Sequence, residues 1–319
     1  MLDFNIDLNP NHVDLNTYNC DQAAASNTAL TAHIPMRPQN GFPEGFDIPV
    51  GDIVNVPISG TGYPFSSCKI YYPEGEGPFP VLFYIHGGAF FGGWQFLDEP
   101  LCRQVCHDCG IAVISPTYVL APDFKFPLPL IEMYKDLLYL RDHQSELKLD
   151  MTRMAVGGGS AGAHHALGMC QLVHERYDQD HLQFKYGVFY YPVLDCFTPG
   201  KERADALSDT YGMPPEMIDI FINSYYPEGQ DRKDPLFSPI LMNLDALPPS
   251  VMFSGRTDTL NQEFRRFTHR ILEEGKNEVI FKIYPDVRHG FLEGDVGVAA
   301  ARDSKAIVCD ILKRTLTQQ

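Results

Sequence analysis

The sequence predicts an α/β fold, a mostly parallel central sheet flanked by helices and carrying a cap. Three observations support this. From Val81 onward, strand-like and helix-like segments alternate, which calls for a parallel sheet with crossover helices on both faces. Val81-Leu82-Phe83-Tyr84-Ile85 is almost wholly apolar, as a strand covered on both faces must be. The alternation breaks once, between about Asp195 and Leu247, in a stretch rich in proline and aromatics. An insertion at the carboxyl end of a strand usually lies above the site, so residues 195–247 are expected to form a cap.

Taken in order, residues 1–50 are rich in Asn, Pro and Ala with weak periodicity, and read as an irregular or helical N-terminal cap segment. Ile53–Ile58 and Cys68–Tyr72 read as strands separated by a turn at Ser59–Pro64. Val81–Ile85 and Ile111–Ser115 follow as strands, with Leu101–Gly110 as a helix between them. Leu130–Gln144 reads as helix, Met154–Val156 as strand, Ala161–Tyr177 as helix and Tyr186–Tyr191 as strand. Within the cap, Pro215–Tyr225 is a helix candidate. Val251–Ser254, Gln262–Glu274, Val279–Tyr284 and Val298–Thr315 close the chain as strand, helix, strand and helix. The catalytic domain is thus expected over 51–194 and 248–319. A chain of 319 residues, 44% of them hydrophobic, suffices for one such domain with an appendage.

With 25 Lys and Arg against 41 Asp and Glu, the net charge is −16. So acidic a surface repels phosphate backbones and anionic lipid, which argues against nucleic-acid and membrane partners. No apolar run approaches a transmembrane span. The first seven residues lack the basic and apolar regions of a secretory signal, so a cytoplasmic location is expected. Cys102, Cys106 and Cys109 are spaced C-x₃-C-x₂-C, as in some iron–sulfur enzymes. The same spacing puts all three on one face of a helix, and burial against a sheet explains them without a metal. The eight cysteines are expected to be reduced.

Four loops at strand ends carry the chemistry. Gly158-Gly159-Ser160-Ala161-Gly162 fits the G-x-S-x-G elbow, in which a strained strand–helix turn exposes a serine hydroxyl. His86-Gly87-Gly88-Ala89-Phe90 follows a strand, and its adjacent glycines let backbone N–H groups approach an oxyanion. Asp258 and His289 each follow a later strand. A serine hydroxyl needs a histidine to take its proton, and that histidine needs a carboxylate to fix its tautomer. Ser160, Asp258 and His289 supply that set in the order Ser…Asp…His. Asp195 and Asp286 are the rival acids. His164 and His165 lie on the helix after the elbow without metal-ligand spacing.

These motifs, with Tyr118-Val119-Leu120-Ala121-Pro122, Phe126-Pro127 and Tyr191-Pro192-Val193-Leu194-Asp195, resemble the hormone-sensitive-lipase-like esterases of the α/β-hydrolase superfamily, from about Pro80 to Thr315. The resemblance implies a serine esterase with no metal or other cofactor. It also implies Gly87, Gly88 and the Ala161 N–H as oxyanion donors, and an N-terminal segment that helps build the cap. Two residues depart from the family pattern: Ala89 stands where many members have a third glycine, and Gly159 where aspartate is commonest. The expected substrate is a short-chain ester, held in an apolar pocket by Phe90, Phe91, Trp94, Tyr118 and the cap aromatics Phe197, Tyr211, Phe221, Tyr225 and Tyr226. Core packing is the competing role for these rings. An amidase or deacetylase with the same triad, and a non-catalytic receptor on the same scaffold, are the rival functions. A second copy of the chain, in a homodimer, is the one macromolecular partner expected.

Overall fold

Eight strands form one sheet in the order β1-β2-β4-β3-β5-β6-β7-β8. They are β1 (Asp52–Pro57), β2 (Ser67–Tyr72), β3 (Phe79–Ile85), β4 (Ala112–Thr117), β5 (Leu149–Gly159), β6 (Phe184–Tyr190), β7 (Ser250–Gly255) and β8 (Val279–Tyr284). The computed structural model describes residues 45–62, 66–93, 95–205, 208, 213–292 and 299–317. The N-terminal cap segment therefore lies outside the described residues except for 45–50. β1 pairs antiparallel with β2, and β2 antiparallel with β4. Every pairing from β4 through β3 to β8 is parallel.

The longer helices are α1 (Glu99–Cys109), α2 (Leu128–Asp142), α3 (Ala161–Glu175), α4 (Pro215–Tyr225), α5 (Asn261–Glu274) and α6 (Ala299–Leu312). Period-two alternation sorts them onto two faces. Val81, Phe83 and Ile85 of β3 point into one core, shared with Leu130 and Leu137 of α2, Ala163 and Leu167 of α3, and Phe264 and Phe267 of α5. Leu82 and Tyr84 point into the other, shared with Leu101 and Val105 of α1 and Val308 and Leu312 of α6. Both faces of β3 are thus covered, which is why its seven residues are all buried.

Strand β5 is longer than the expected Met154–Val156. Its register slips against β3 at Pro80/Val81 and against β6 at Met154/Ala155. At the irregularity, Asp150 accepts the Thr152 N–H at 3.0 Å and the Arg153 Nε–H at 2.6 Å. That polar turn chemistry masks a strand in the sequence. Downstream, Gly157-Gly158-Gly159 continue the strand, and β6 hydrogen-bonds alongside them up to the Gly159–Tyr190 pair. Between β6 and β7 lies the insertion, with α4 and 3₁₀ turns at Gly200–Glu202, Pro239–Leu241 and Leu244–Ala246. Its Met217, Phe221 and Tyr225 join the same core as α3.

The parallel strands end at one edge. His86, Ser160, Tyr191, Arg256 and Pro285 each follow the last residue of a strand there. No helix among the described residues is long and apolar enough to cross a membrane.

Candidate active site

Ser160 sits between β5 and α3 with φ 55° and ψ −120°, a conformation that costs an ordinary residue on the order of 1–3 kcal/mol. The surroundings impose it. The Ser160 N–H donates to the Tyr190 carbonyl at 2.9 Å, holding the turn to the end of β6. A Cβ on Gly162 would stand 2.1 Å from the Ile85 carbonyl oxygen, and one on Gly158 would stand 2.5 Å from the Gly162 carbonyl carbon. Both glycines let the helix start pass close to the end of β3.

Ser160 Oγ lies 2.8 Å from His289 Nε2. On the far side of the ring, His289 Nδ1 lies 2.9 Å from Asp258 Oδ2. Asp258 is 1% exposed, and its other oxygen accepts the Leu260 N–H at 2.8 Å. A carboxylate fixed on both oxygens sets Nδ1 as the protonated nitrogen and leaves Nε2 free to accept the serine proton. Tyr191, itself at φ 37°, packs edge-on against the imidazole with ring centroids 4.9 Å apart. The rival acids lie elsewhere. Asp195 accepts the N–H groups of Phe197 and Thr198 and pairs with Arg266 at 2.6 Å, while Asp286 is exposed.

The loop after β3 differs from expectation at one donor. The Gly87 N–H points to the buried Asp98 carboxylate at 3.4 Å, so it is turned away from solvent. The next two amides, Gly88 and Ala89, find no acceptor among the described residues, nor does Ala161. Gly88, Ala89 and Phe90 have successive φ values of 130°, 53° and 71°. The Gly88 carbonyl in turn accepts the N–H groups of Phe91 and Gly92 at 3.1 and 2.7 Å. A Cβ at Gly88 would meet the Gly92 oxygen at 2.2 Å. Consecutive left-handed residues make a strained turn of the kind that presents N–H groups to an anion. Ala89, rather than Gly87, is thus the second unpartnered amide of this loop.

Phe90 (1% exposed), Phe91 and Tyr118 are buried. Phe90 stacks on Tyr225 of α4 at 4.5 Å, and Phe91 meets Phe221 at 5.4 Å. Tyr118 stacks on the His86 ring at 4.4 Å and donates its hydroxyl to the His86 carbonyl at 2.9 Å. Phe90 and Phe91 form the packing that seats the insertion on the loop, while Tyr118 packs on His86 and His165, so the apolar area of all three is used up by neighbours. They are not open pocket walls. Phe197 and Tyr226 are partly buried against the same core. Trp94 and Tyr211 lie outside the described residues.

His164 and His165 are fully buried behind the elbow. His164 Nδ1 lies 3.1 Å from the Val193 carbonyl, and His165 is ringed by Phe90, Tyr118 and Tyr225. Burial pushes both imidazoles down, His164 to about 4. They are neutral core groups. Cys102, Cys106 and Cys109 lie on the buried face of α1, as the helical reading expects. Among the described residues, no group of three or more His, Cys, Asp or Glu could hold a metal ion.

Sequence reasoning gave no role to Asp98, Tyr191, Arg203 or Glu263. Asp98 stands before a helix that begins Glu99-Pro100, where an acid reads as a cap. Tyr191 lies in the stretch Tyr191-Pro192-Val193-Leu194-Asp195, yet only its ring packing shows that it touches His289. Arg203 and Glu263 are 60 residues apart and meet only in the fold, at 2.6 Å.

The model of the alpha/beta hydrolase fold family matches residues 82–293. An arylesterase of Saccharolobus solfataricus is 26% identical over 76% of this chain and 78% of its own length. An ethyl acetate hydrolase of Pseudomonas putida is 27% identical over 78% of each chain. Among solved structures, an esterase of Pyrobaculum calidifontis superposes with a TM-score of 0.76 at 24% identity, over 95% of this chain and 94% of that one, a likeness of fold. The chain belongs to the alpha/beta hydrolase fold family and, within it, to the hormone-sensitive-lipase-like carboxylesterases.

Proposed function

We propose that the chain is a serine carboxylesterase acting on short-chain acyl esters, with Ser160 as nucleophile, His289 as general base and acid, and Asp258 as its orienting carboxylate. One observation carries this reading: the unbroken hydrogen-bond path from Ser160 Oγ through His289 to Asp258, at 2.8 and 2.9 Å. Ser160 attacks the ester carbonyl as its proton passes to His289 Nε2. The tetrahedral oxyanion is held by the amides of Gly88, Ala89 and Ala161, each donor of this kind being worth roughly 10²–10³ in rate. His289 then protonates the leaving alcohol, and water repeats the sequence on the acyl-enzyme. No cofactor takes part. Short acyl groups are favoured because α4 packs Phe221 and Tyr225 down on the loop that carries Gly88 and Ala89, and because a relative is named for ethyl acetate.

The test is hydrolysis of p-nitrophenyl esters across chain lengths, with Ser160→Ala, Asp258→Asn and His289→Ala beside the wild type. Turnover is expected to peak at acetate to butyrate and to vanish in the serine variant; wild-type-like turnover in Ser160→Ala would overturn the assignment. The matching anilides, run in parallel, are expected to turn over far more slowly, and the reverse would favour the amidase reading. A cytoplasmic location fits the seven buried cysteines, which form no disulfide among the described residues. A second copy is proposed to pair along the edge strand β8, where Ile280 and Ile283 are each 39% exposed. Light scattering that gives a monomer mass at micromolar concentration would remove that part.

A further inference from the structure

The insertion between β6 and β7 touches two parts of the site at once. Through α4 it packs on the loop after β3, with Tyr225 against Phe90 and Phe221 against Phe91. Through its root it is fastened to the segment that carries Asp258. Arg203 and Glu263 form an ion pair at 2.6 Å whose side chains are both fully buried. The Arg203 Nε–H donates to the Thr198 carbonyl at 2.9 Å, and the second Glu263 oxygen accepts the Leu194 N–H at 2.7 Å. Next to Asp258, the Thr259 hydroxyl donates to the Met213 carbonyl at 2.8 Å. Arg256 pairs with Asp205 at 3.3 Å.

We infer that Arg203 and Glu263 are positioning residues for the reaction, tying the seat of the insertion to the orientation of Asp258. The inference rests on the triad reading above. The path is short. Glu263 lies in the first turn of α5, and the residue entering that turn, Leu260, donates its N–H to Asp258 Oδ1. The other Asp258 oxygen holds His289. A first turn anchored by a buried charge pair therefore fixes one side of the carboxylate while the imidazole takes the other. Two charges without solvent contact are a costly way to gain stability alone, since well-packed apolar residues of similar volume do as well or better. What the pair does supply is fixed direction: the guanidinium and the backbone donor at Leu194 approach different oxygens of one carboxylate.

The test uses the full chain and the double variant Arg203→Met/Glu263→Gln, which removes both charges and keeps an acceptor for Leu194. With p-nitrophenyl acetate, kcat is expected to fall at least tenfold while KM stays within about twofold, with an unchanged far-UV spectrum. Arg203→Lys, which keeps the charge but not the planar fork, is expected to recover part of kcat. If the double variant does not fold, Thr259→Val is measured instead; it removes only the hydroxyl that reaches Met213, and is expected to lower kcat several-fold at nearly constant KM. A lowered Tm with unchanged kcat, or a raised KM with unchanged kcat, overturns the inference while leaving the triad intact. An inactive wild type, or an active Ser160→Ala, would instead sink the triad reading beneath it.

Discussion

At the scale of single residues, the site is a set of strained or crowded positions held by their neighbours. Ser160 at φ 55° and Ala89 at φ 53° are non-glycine residues in left-handed space, and each is followed by a backbone contact that fixes it. Gly162 shows how little room remains. With the Ile85 oxygen 2.1 Å from its missing Cβ, Gly162→Ala must push β3 and α3 apart, and it is expected to abolish esterase turnover and lower Tm. Asp258→Asn keeps the shape but offers the imidazole an amide. The wrong tautomer then faces Ser160, and kcat is expected to fall on the order of 10⁴-fold. Steady-state kinetics on folded variants check both. Tyr225→Phe should go the other way. Its hydroxyl is buried without a hydrogen-bond partner among the described residues, so its removal is expected to leave stability equal or higher by about 1 kcal/mol in a denaturant titration.

At the scale of elements, what could be read from the sequence follows from whether the signal is local. β3 was legible because a covered strand is an apolar run, and α4 matched its expected bounds because it begins at Pro215 and carries an apolar stripe. The order Ser160, Asp258, His289 was legible because each lies directly beyond a strand. β5 was only partly legible, since its first half is polar turn chemistry and its end is three glycines. The oxyanion loop misled by one residue: two adjacent glycines suggest two free amides, but the Gly87 amide is claimed by Asp98, eleven positions away. The aromatic residues misled for a related reason. Phe90 and Tyr118 have the composition of a pocket, and only the packing of α4 and His86 against them shows that they are core. Phe90→Ala should therefore act through the fold. It is expected to cost about 3–5 kcal/mol in stability, as deletion of a buried ring does, with KM for the acetate ester little changed.

Across the whole molecule, buried titratable groups of two kinds set the response to pH. Burial pushes His86 and His164 down to about 4 and His165 down as well. Each ring is neutral in the fold but protonates near 6.5 once unfolded, so its contribution is complete above about 6.5 and is lost as pH falls toward 4. The loss for His86 and His164 is on the order of 3 kcal/mol each. Burial pushes the carboxyls the other way. Asp136 is lifted to about 8 and its neighbour Glu132 also upward. These are protonated more readily in the fold than when unfolded, so their contribution is full below about pH 4 and is lost progressively as pH rises from there to about 8. Between pH 4 and 6.5 three imidazoles oppose two carboxyls, and above 6.5 the carboxyls act alone, so stability from urea titrations is expected to be greatest near pH 6.5, with the steeper fall on the alkaline side up to about pH 8; stability that keeps rising from pH 6.5 to 8 would contradict protonated carboxyls in the core. All of this serves a fold whose strand ends meet at Ser160. The most direct measurement of that claim is intact mass and peptide mapping after treatment with a fluorophosphonate. One adduct per chain on Ser160, appearing in step with loss of esterase activity and absent from His289→Ala over the same time, is the expected result. Complete inactivation with Ser160 unmodified, or activity retained with Ser160 fully labelled, would contradict it.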